Sequence, residues 1–144
     1  MKTIPSRSRQ AQLGAPFVLV LLSFLPPPVL AAERVTSGKW ESAMTTAGET
    51  RTVSYCISPA EATSMNGDSR TGRDFAEKKA GSRCTIKSYE IRGDTIAYAV
   101  ACGARLITDT TRFHGDTAEG VKTIAGEGVT VTTTVKSRRT GTCP

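Results

Sequence analysis

The sequence has few of the residues on which catalytic sites usually depend. It contains one histidine, His114, and no Gly-x-Ser-x-Gly turn to present a nucleophilic serine. It has no Cys-x-x-Cys pair for zinc or redox chemistry, and no acidic or glycine-rich loop typical of calcium or phosphate sites. Its carboxylates, among them Glu41, Glu90 and Asp109, are spread over different segments, and we expect most to face water. We therefore expect no catalytic residue, no cofactor and no metal site.

Large side chains are also scarce. Aromatic residues make up 6% of the chain, and the other apolar positions of the main body are mostly Val, Ile or Ala. A domain with so small a core benefits from covalent crosslinks. Four cysteines are present, Cys56, Cys84, Cys102 and Cys143, and after export to an oxidising compartment they would form two disulfides.

The N-terminal segment has the pattern of a secretory signal peptide. A positive region containing Lys2 precedes an apolar run at Ala15–Leu25, and small residues up to Ala31 provide a cleavage site. The apolar run is shorter than the roughly 20 residues that a membrane span needs. We predict a signal peptide at 1–31, followed at 32–144 by a single exported domain with no membrane span.

The net charge gives little indication of a nucleic-acid partner. Three of the 19 basic residues fall within the predicted signal, which leaves 16 against 13 acidic residues. The dense basic spot is Lys136, Arg138 and Arg139, which we interpret as the solvated end of a strand. Nucleic-acid binding usually requires a larger clustered basic face, so no such partner is expected.

Apolar and polar residues alternate along most of the chain, as at Val129, Val131 and Val135 with threonines between them. A period of two is typical of strands with one buried and one wet face. Glycine-containing turns such as Gly93-Asp94 separate the segments. The pattern predicts an all-β fold, an antiparallel meander of seven or eight strands that is barrel-like or a sandwich. The predicted strands are Lys39–Thr45, Thr50–Cys56, Cys84–Arg92, Thr95–Cys102, Ile107–His114, Val121–Ala125 and Val129–Arg138.

The segment between the first two cysteines breaks the strand pattern. It opens with Ser58-Pro-Ala-Glu61, a capping box with proline at the first helical position, so a short helix is expected to begin there. A second helix is predicted from about Arg73 to Ala80, with Gly81 ending it. Residues 65–72 between them are expected to form a loop.

Two disulfide pairings are plausible on spacing. We prefer Cys56–Cys84 with Cys102–Cys143, which would fix both ends of the helical segment and tie the chain end to a strand. The alternative is Cys84–Cys102 with Cys56–Cys143. A two-residue hairpin turn would place Thr85 opposite Cys102 and send the two sulfurs to opposite faces, although a bulge at the turn would reverse this argument.

One pattern indicates either closure of the sheet or a small-molecule site. Gly38-x-Trp40 opens the first strand, and Arg138 or Arg139 lies on the last. This pattern resembles that of lipocalin-like calyces. Those proteins begin with Gly-x-Trp and pack an arginine of the last strand over the indole. A cation over an indole contributes roughly 0.5–2 kcal/mol. We expect the site near Trp40 and Tyr98.

The order of these features resembles a known family. The features are a signal peptide, Gly-x-Trp at Gly38, Cys56 with the Ser58–Ala62 segment, Cys84, the Gly93-Asp94 turn, Cys102 and the ending Arg138-Arg-Thr-Gly-Thr-Cys143. This order is similar to the bacterial exported family called domain of unknown function 3617. The resemblance implies a periplasmic β-rich domain and supplies no reaction, ligand or catalytic residue.

The functional expectation is therefore a non-enzymatic binding module of the bacterial cell envelope. Its partner would be a small apolar ligand or another envelope protein. The alternative is a structural or interaction module with no ligand cavity, which meets its partner through an edge strand or the basic C-terminus. An enzyme is the least favoured class, because no constellation of reactive residues stands out.

Overall fold

The computed structural model describes residues 33–144, so the predicted signal peptide at 1–31 lies outside the described residues. Within them, seven strands and two α-helices follow one another, with a single 3-10 turn before the third strand. In chain order they are β1 Gly38–Thr46, β2 Glu49–Ile57, α1 Pro59–Asn66, α2 Ser69–Ala80, the 3-10 turn Gly81–Arg83, β3 Cys84–Arg92, β4 Thr95–Cys102, β5 Arg105–His114, β6 Thr117–Gly126 and β7 Val129–Gly141.

The seven strands form one antiparallel sheet in the order β2-β1-β7-β6-β5-β4-β3. This confirms the predicted antiparallel β fold. Strands β3 to β7 run as a meander, and β1 then pairs with both β7 and β2. The sheet does not close into a barrel, because β2 and β3 remain its two edges and are joined through the helices.

The strand predictions are confirmed in number and order, and they differ mainly at two ends. Strand β6 begins at Thr117 rather than Val121, and β7 continues to Gly141. The early part of β6 reads Thr-Ala-Glu-Gly, which carries no β-branched apolar residue. It is a strand because Ala118 is buried against the core while its neighbours pair with β5 and β7.

The first helix begins as predicted, and the second is longer than predicted. Ser58 accepts a hydrogen bond from the Glu61 amide, and the Glu61 carboxylate accepts one from the Ser58 amide at 2.8 Å. Helix α2 begins at Ser69 rather than Arg73, because Asp68 caps it by accepting from the Thr71 amide at 2.7 Å. Residues 65–72 therefore belong mostly to helices.

The preferred disulfide pairing is wrong, and the alternative pairing is present: Cys84 with Cys102, and Cys56 with Cys143. The register of β3 and β4 shifts between Ile86 and Ser88, which leaves Lys87 as the extra residue of a bulge. The bulge places Cys84 directly opposite Cys102, with their Cα atoms 4.3 Å apart. A bulge therefore brings the two sulfurs to the same face of the sheet, as the alternative pairing requires, but it lies within β3 and not at the Gly93-Asp94 turn.

The Cys56–Cys143 bridge follows from the position of β1 between β2 and β7. Lys39 of β1 is opposite Cys56 on one side and Gly141 on the other, and Cys143 lies two residues beyond Gly141. The two Cα atoms are 5.8 Å apart. The bridge therefore ties one edge strand to the end of the chain across β1.

The hydrophobic core lies on one face of the sheet, called here the inner face; the opposite face is the outer face. The buried residues of this core come from the segment before β1, from the inner-facing positions of several strands and from α1. They are Val35, Trp40, Ile57, Ala62, Ile96, Phe113 and Ala118. The Asn66 side chain holds the first segment in place, because its amide exchanges two hydrogen bonds of 2.8 Å with the Val35 backbone.

Helix α2 packs against the edge strand β3. The contact depends on Gly72, which is buried, because a Cβ atom at this position would collide with the ring of Tyr89. Tyr89 in turn stacks on Tyr98, with ring centroids 6.2 Å apart. This packing places one side of α2 above the inner face of the sheet.

Candidate functional site

Trp40 lies in the core and not on an accessible surface. Its side chain is fully buried, and its indole Nε1 donates a hydrogen bond of 3.0 Å to the Thr36 carbonyl. Phe113 meets the indole edge to face at a centroid distance of 6.5 Å. A ligand on the sheet surface would therefore not touch this tryptophan.

The two arginines near the chain end have different surroundings. Arg139 is opposite Trp40 in the β1–β7 pair, and its Nε donates to the Ser37 carbonyl at 2.8 Å. Its guanidinium crosses Gly38, where a Cβ atom would collide with it. Arg138 lies on the outer face, exposed and paired with Glu41 at 2.9 Å. Arg139 and Trp40 thus lie together where β1 meets β7, and Arg138 points away from them.

A cavity of about 490 Å³ lies between the inner face and the helices. Tyr98 lines this cavity; it is the remaining residue of the predicted site, after Trp40, Arg138 and Arg139. Its walls are mainly apolar, with contributions from β1, β2, β7 and both helices; among these residues are Met44, Val53, Val135, Met65, Phe75 and Ala76. Val53 and Tyr55 of the edge strand β2 are 44% and 41% exposed, so the wall at β2 borders solvent.

The cavity exists because the inner-facing side chains next to the core along each strand are small. Along β1 the inner face passes from Trp40 to Ser42, and along β5 it passes from Phe113 to Thr111. On β7, Ser137 occupies the corresponding place, and its hydroxyl lies 2.6 Å from that of Ser42. The two serines bond each other and Thr111 donates to Asp109, so these short polar side chains are satisfied and leave the volume above them unfilled.

A charged pair lies on the same inner surface. Asp109 of β5 and Lys122 of β6 are directly opposite each other, with 3.8 Å between the carboxylate Oδ2 and the ammonium Nζ. Asp109 is 8% exposed and accepts a hydrogen bond of 2.6 Å from the Thr111 hydroxyl. Burial and then the neighbouring Asp109 raise the pKa of the Tyr98 phenol, which moves its ionisation further from neutral pH, where a phenol is already protonated.

The helices contribute a second ion pair to the wall. Lys79 of α2 lies 2.9 Å from the Glu61 carboxylate of α1 and 5.6 Å from the centre of the Phe75 ring. The Ser58 amide and then Lys79 hold the pKa of Glu61 below its ordinary value of 4.5. This pair joins the two helices where they cover the cavity.

Sequence reasoning did not place Asp109 or Lys122 at the site. We expected most of the carboxylates to face water, and Asp109 is an exception because it is buried on the inner face. A signal for this was present, because Asp109 is separated by two and four positions from Thr111 and the core residue Phe113. The part played by α2 had no comparable signal, since the sequence does not show where a short helix packs.

His114 lies outside the cavity. It ends β5 with a side chain that is 49% exposed, and its Nδ1 is 4.0 Å from the Asp94 carboxylate. That carboxylate already pairs with Arg112 at 2.7 Å, and this contact lowers the pKa of Asp94. Among residues 33–144 no group of three or more His, Cys, Asp or Glu side chains could hold a metal ion. No helix in that range is long and apolar enough to cross a membrane.

Comparison with known proteins places the chain in a family. The model of the family described as "Protein of unknown function (DUF3617)" matches residues 35–143. The chain belongs to the DUF3617 family. The match includes all four cysteines and every residue that lines the cavity. Searches of the curated proteins and of the solved structures give no significant match.

Proposed function

We propose that this DUF3617 protein is a non-enzymatic binding module of the bacterial cell envelope, and that it holds a small apolar ligand in the inner-face cavity. The observation that carries the proposal is the cavity itself. Its volume of about 490 Å³ falls within the range usual for small-molecule sites, roughly 300–1,000 Å³, and its walls are mostly apolar with a few polar groups.

The location of the proposed site differs from the one expected from the sequence. Trp40 lies in the core beside the cavity, whereas Tyr98 lines it. A ligand in the cavity would contact α2 and the inner faces of β1, β2, β4 and β5. Because Trp40 does not line the cavity, its fluorescence is a poor reporter, and an environment-sensitive dye is the better probe.

The proposed compartment is the periplasm. Two disulfides join all four cysteines, and disulfides persist in oxidising compartments. Fractionation of the producing cells, followed by mass spectrometry of the thiols, tests this part of the proposal. It predicts a protein lacking residues 1–31 and without free thiols in the periplasmic fraction.

Dye binding to the oxidised protein tests the ligand site. We expect saturable one-to-one binding of an apolar dye that fluoresces only when shielded from water. Ala76→Phe, on the side of α2 that lines the cavity, would fill the space and weaken dye binding at least tenfold. Lys78→Phe, two residues away and exposed, is the matched control and would leave dye binding unchanged.

A second candidate is an interaction module that pairs through its edge strand. Eight consecutive residues of β2 are exposed, and among residues 33–144 one side of this strand has no partner strand. Such an edge can accept a strand from another protein. A dye titration without signal on folded, oxidised protein would favour this candidate over the ligand-binding proposal.

A further inference from the structure

Among the charged groups that line the cavity, Lys122 has the weakest contact with a protein partner. Its ammonium lies 3.8 Å from the Asp109 carboxylate, which is longer than a hydrogen bond. The Lys122 side chain is 31% exposed, whereas that of Asp109 is 10% exposed. The ammonium therefore has both an accessible surface and the freedom of a long flexible stem.

Asp109 does not depend on Lys122 alone. The Thr111 hydroxyl donates to its Oδ1 at 2.6 Å, and the protonated Tyr98 phenol lies beside the same carboxylate. If the ammonium turned toward a ligand, these two neighbours would continue to stabilise the carboxylate. A ligand anion can thus share Lys122 while the Asp109 carboxylate keeps the Thr111 hydroxyl as a hydrogen-bond donor.

The second ammonium in the wall is less available. Lys79 is bound to Glu61 at 2.9 Å, within normal ion-pair contact, and its side chain is 63% exposed to water. An anion at Lys79 would compete with an existing carboxylate and with solvent. The geometry therefore favours Lys122 over Lys79 as the contact for a ligand charge.

Taking the proposed ligand site as given, we infer that its ligand is an amphiphile with an alkyl chain and an anionic head group, and that Lys122 binds the head group. The apolar walls would bury the chain, since Met44, Val53 and Val135 line the same cavity as Lys122. A cationic head group would lie against the Lys122 ammonium and could reach only the small exposed part of Asp109. A carboxylate or a phosphate satisfies the same requirement.

Competition between ligands of one chain length tests the sign of the head group. The dye is displaced from the oxidised protein by laurate, dodecyl phosphate, dodecyltrimethylammonium or neutral monolauroyl glycerol, with circular dichroism confirming that the protein stays folded. We expect both anions to displace the dye at concentrations at least tenfold lower than the cation does. The better of the two anions indicates whether the head group is carboxylate or phosphate.

The outcomes separate this inference from the proposed function. Equal displacement by all four compounds, or preference for the cation, would overturn the anionic head group while dye binding still supported an apolar site. Failure of the dye itself to bind would remove the proposed function, and the inference with it.

Variants at position 122 test the assigned contact. Lys122→Met is expected to weaken laurate binding about tenfold and to leave monolauroyl glycerol unchanged, because only the charged contact is lost. Lys122→Arg keeps the charge and should retain most laurate binding. Lys39→Met, an exposed lysine on the outer side of β1, is the control for net charge and is expected to bind laurate normally.

The double variant Asp109→Asn/Lys122→Met guards against misfolding, since it removes both charges and leaves no buried carboxylate without its partner. It is expected to bind monolauroyl glycerol as the parent does and laurate about tenfold more weakly. Unchanged laurate affinity in this variant, or in a folded Lys122→Met protein, would show that Lys122 does not bind the head group.

Discussion

The inner face of the sheet contains two neighbouring regions that use the same strands in different ways. In the packed region, Trp40, Ile96 and Phe113 are between 0% and 7% exposed and pack with residues of α1 and of the segment before β1. Ile96 and Phe113 also form the boundary with the cavity. In the adjoining region, the next inner-facing residues on β1 and β5 are Ser42 and Thr111, and a cavity remains. A single step along a strand separates the stabilising core from the proposed site.

This difference shows how so small a domain can keep an unfilled volume. The packed region gains stability from large aromatic and aliphatic side chains, whereas the cavity region is braced by hydroxyl pairs, ion pairs and the helices above it. The two disulfides lie in different places relative to this division. Cys56–Cys143 crosses β1 next to Trp40, and Cys84–Cys102 joins the far ends of β3 and β4.

The largest expected effect comes from removing the bridge beside the packed region. Cys56→Ala/Cys143→Ala opens a loop of sequence separation 87 and should lower the free energy of unfolding by about 4.5 kcal/mol on the chain-entropy model. Cys84→Ala/Cys102→Ala opens a separation of 18 and should lower it by about 3 kcal/mol. Urea denaturation of both double variants checks the order, and a larger loss for the second pair would contradict it.

Truncation in the two regions should have unequal effects. Trp40→Ala removes the largest fully buried side chain and is expected to lower the free energy of unfolding by about 4 kcal/mol. Val53→Ala, in the cavity wall and 44% exposed, should change it by about 0.5 kcal/mol or less. Equal losses in denaturant titrations would mean that the cavity wall is as tightly packed as the core.

At the contact between α2 and the sheet, replacing glycine by alanine is expected to destabilise the protein, which is the opposite of its usual effect in a helix. Replacing a mid-helix glycine by alanine normally stabilises a protein by about 1 kcal/mol. Here Gly72→Ala should lower the free energy of unfolding by about 1 kcal/mol, since overpacking against the Tyr89 ring outweighs the gain in helix propensity. Thermal or urea unfolding of Gly72→Ala/Tyr89→Leu is the control, in which the same glycine change should become stabilising.

The smallest effect concerns the ion pair between Glu61 of α1 and Lys79 of α2. The Ser58 amide and Lys79 lower the folded-state pKa of Glu61 below its ordinary 4.5. The carboxylate therefore stabilises the fold above about pH 4.5, and this contribution is lost as the pH falls through the lowered value. Urea unfolding of the parent and Glu61→Gln from pH 7 to pH 3 should show a difference that shrinks toward acid. A constant difference would contradict this assignment.

The β fold was predictable because period-two alternation and glycine turns are local signals, and the seven strands follow from them. The capping box at Ser58 is equally local and marked α1 correctly. The disulfide pairing was not predictable in the same way, because it depends on a bulge at Lys87, an exposed residue with no distinguishing sequence context.

The site was only partly predictable. Of the residues predicted for the site, Tyr98 lines the cavity. Trp40 was linked to it by the Gly-x-Trp pattern, although the same pattern also fits a core tryptophan at the β1–β7 junction. The cavity depends on what is small, namely Ser42, Thr111 and Ser137, and on where α2 lies above them. Neither the absence of bulk nor the placement of a helix gives a distinct signal in one sequence.

The most direct test of the account uses the methionine methyl groups of the oxidised protein. Met44 on β1 and Met65 on α1 lie on different walls of the cavity, so ¹³C-methyl labelling of methionine places a probe on each. On titration with laurate, the account predicts saturable shifts of both resonances and intermolecular Overhauser effects from the alkyl chain to both methyl groups. Binding that leaves both methionines unperturbed, or no binding at all by the folded protein, would contradict it.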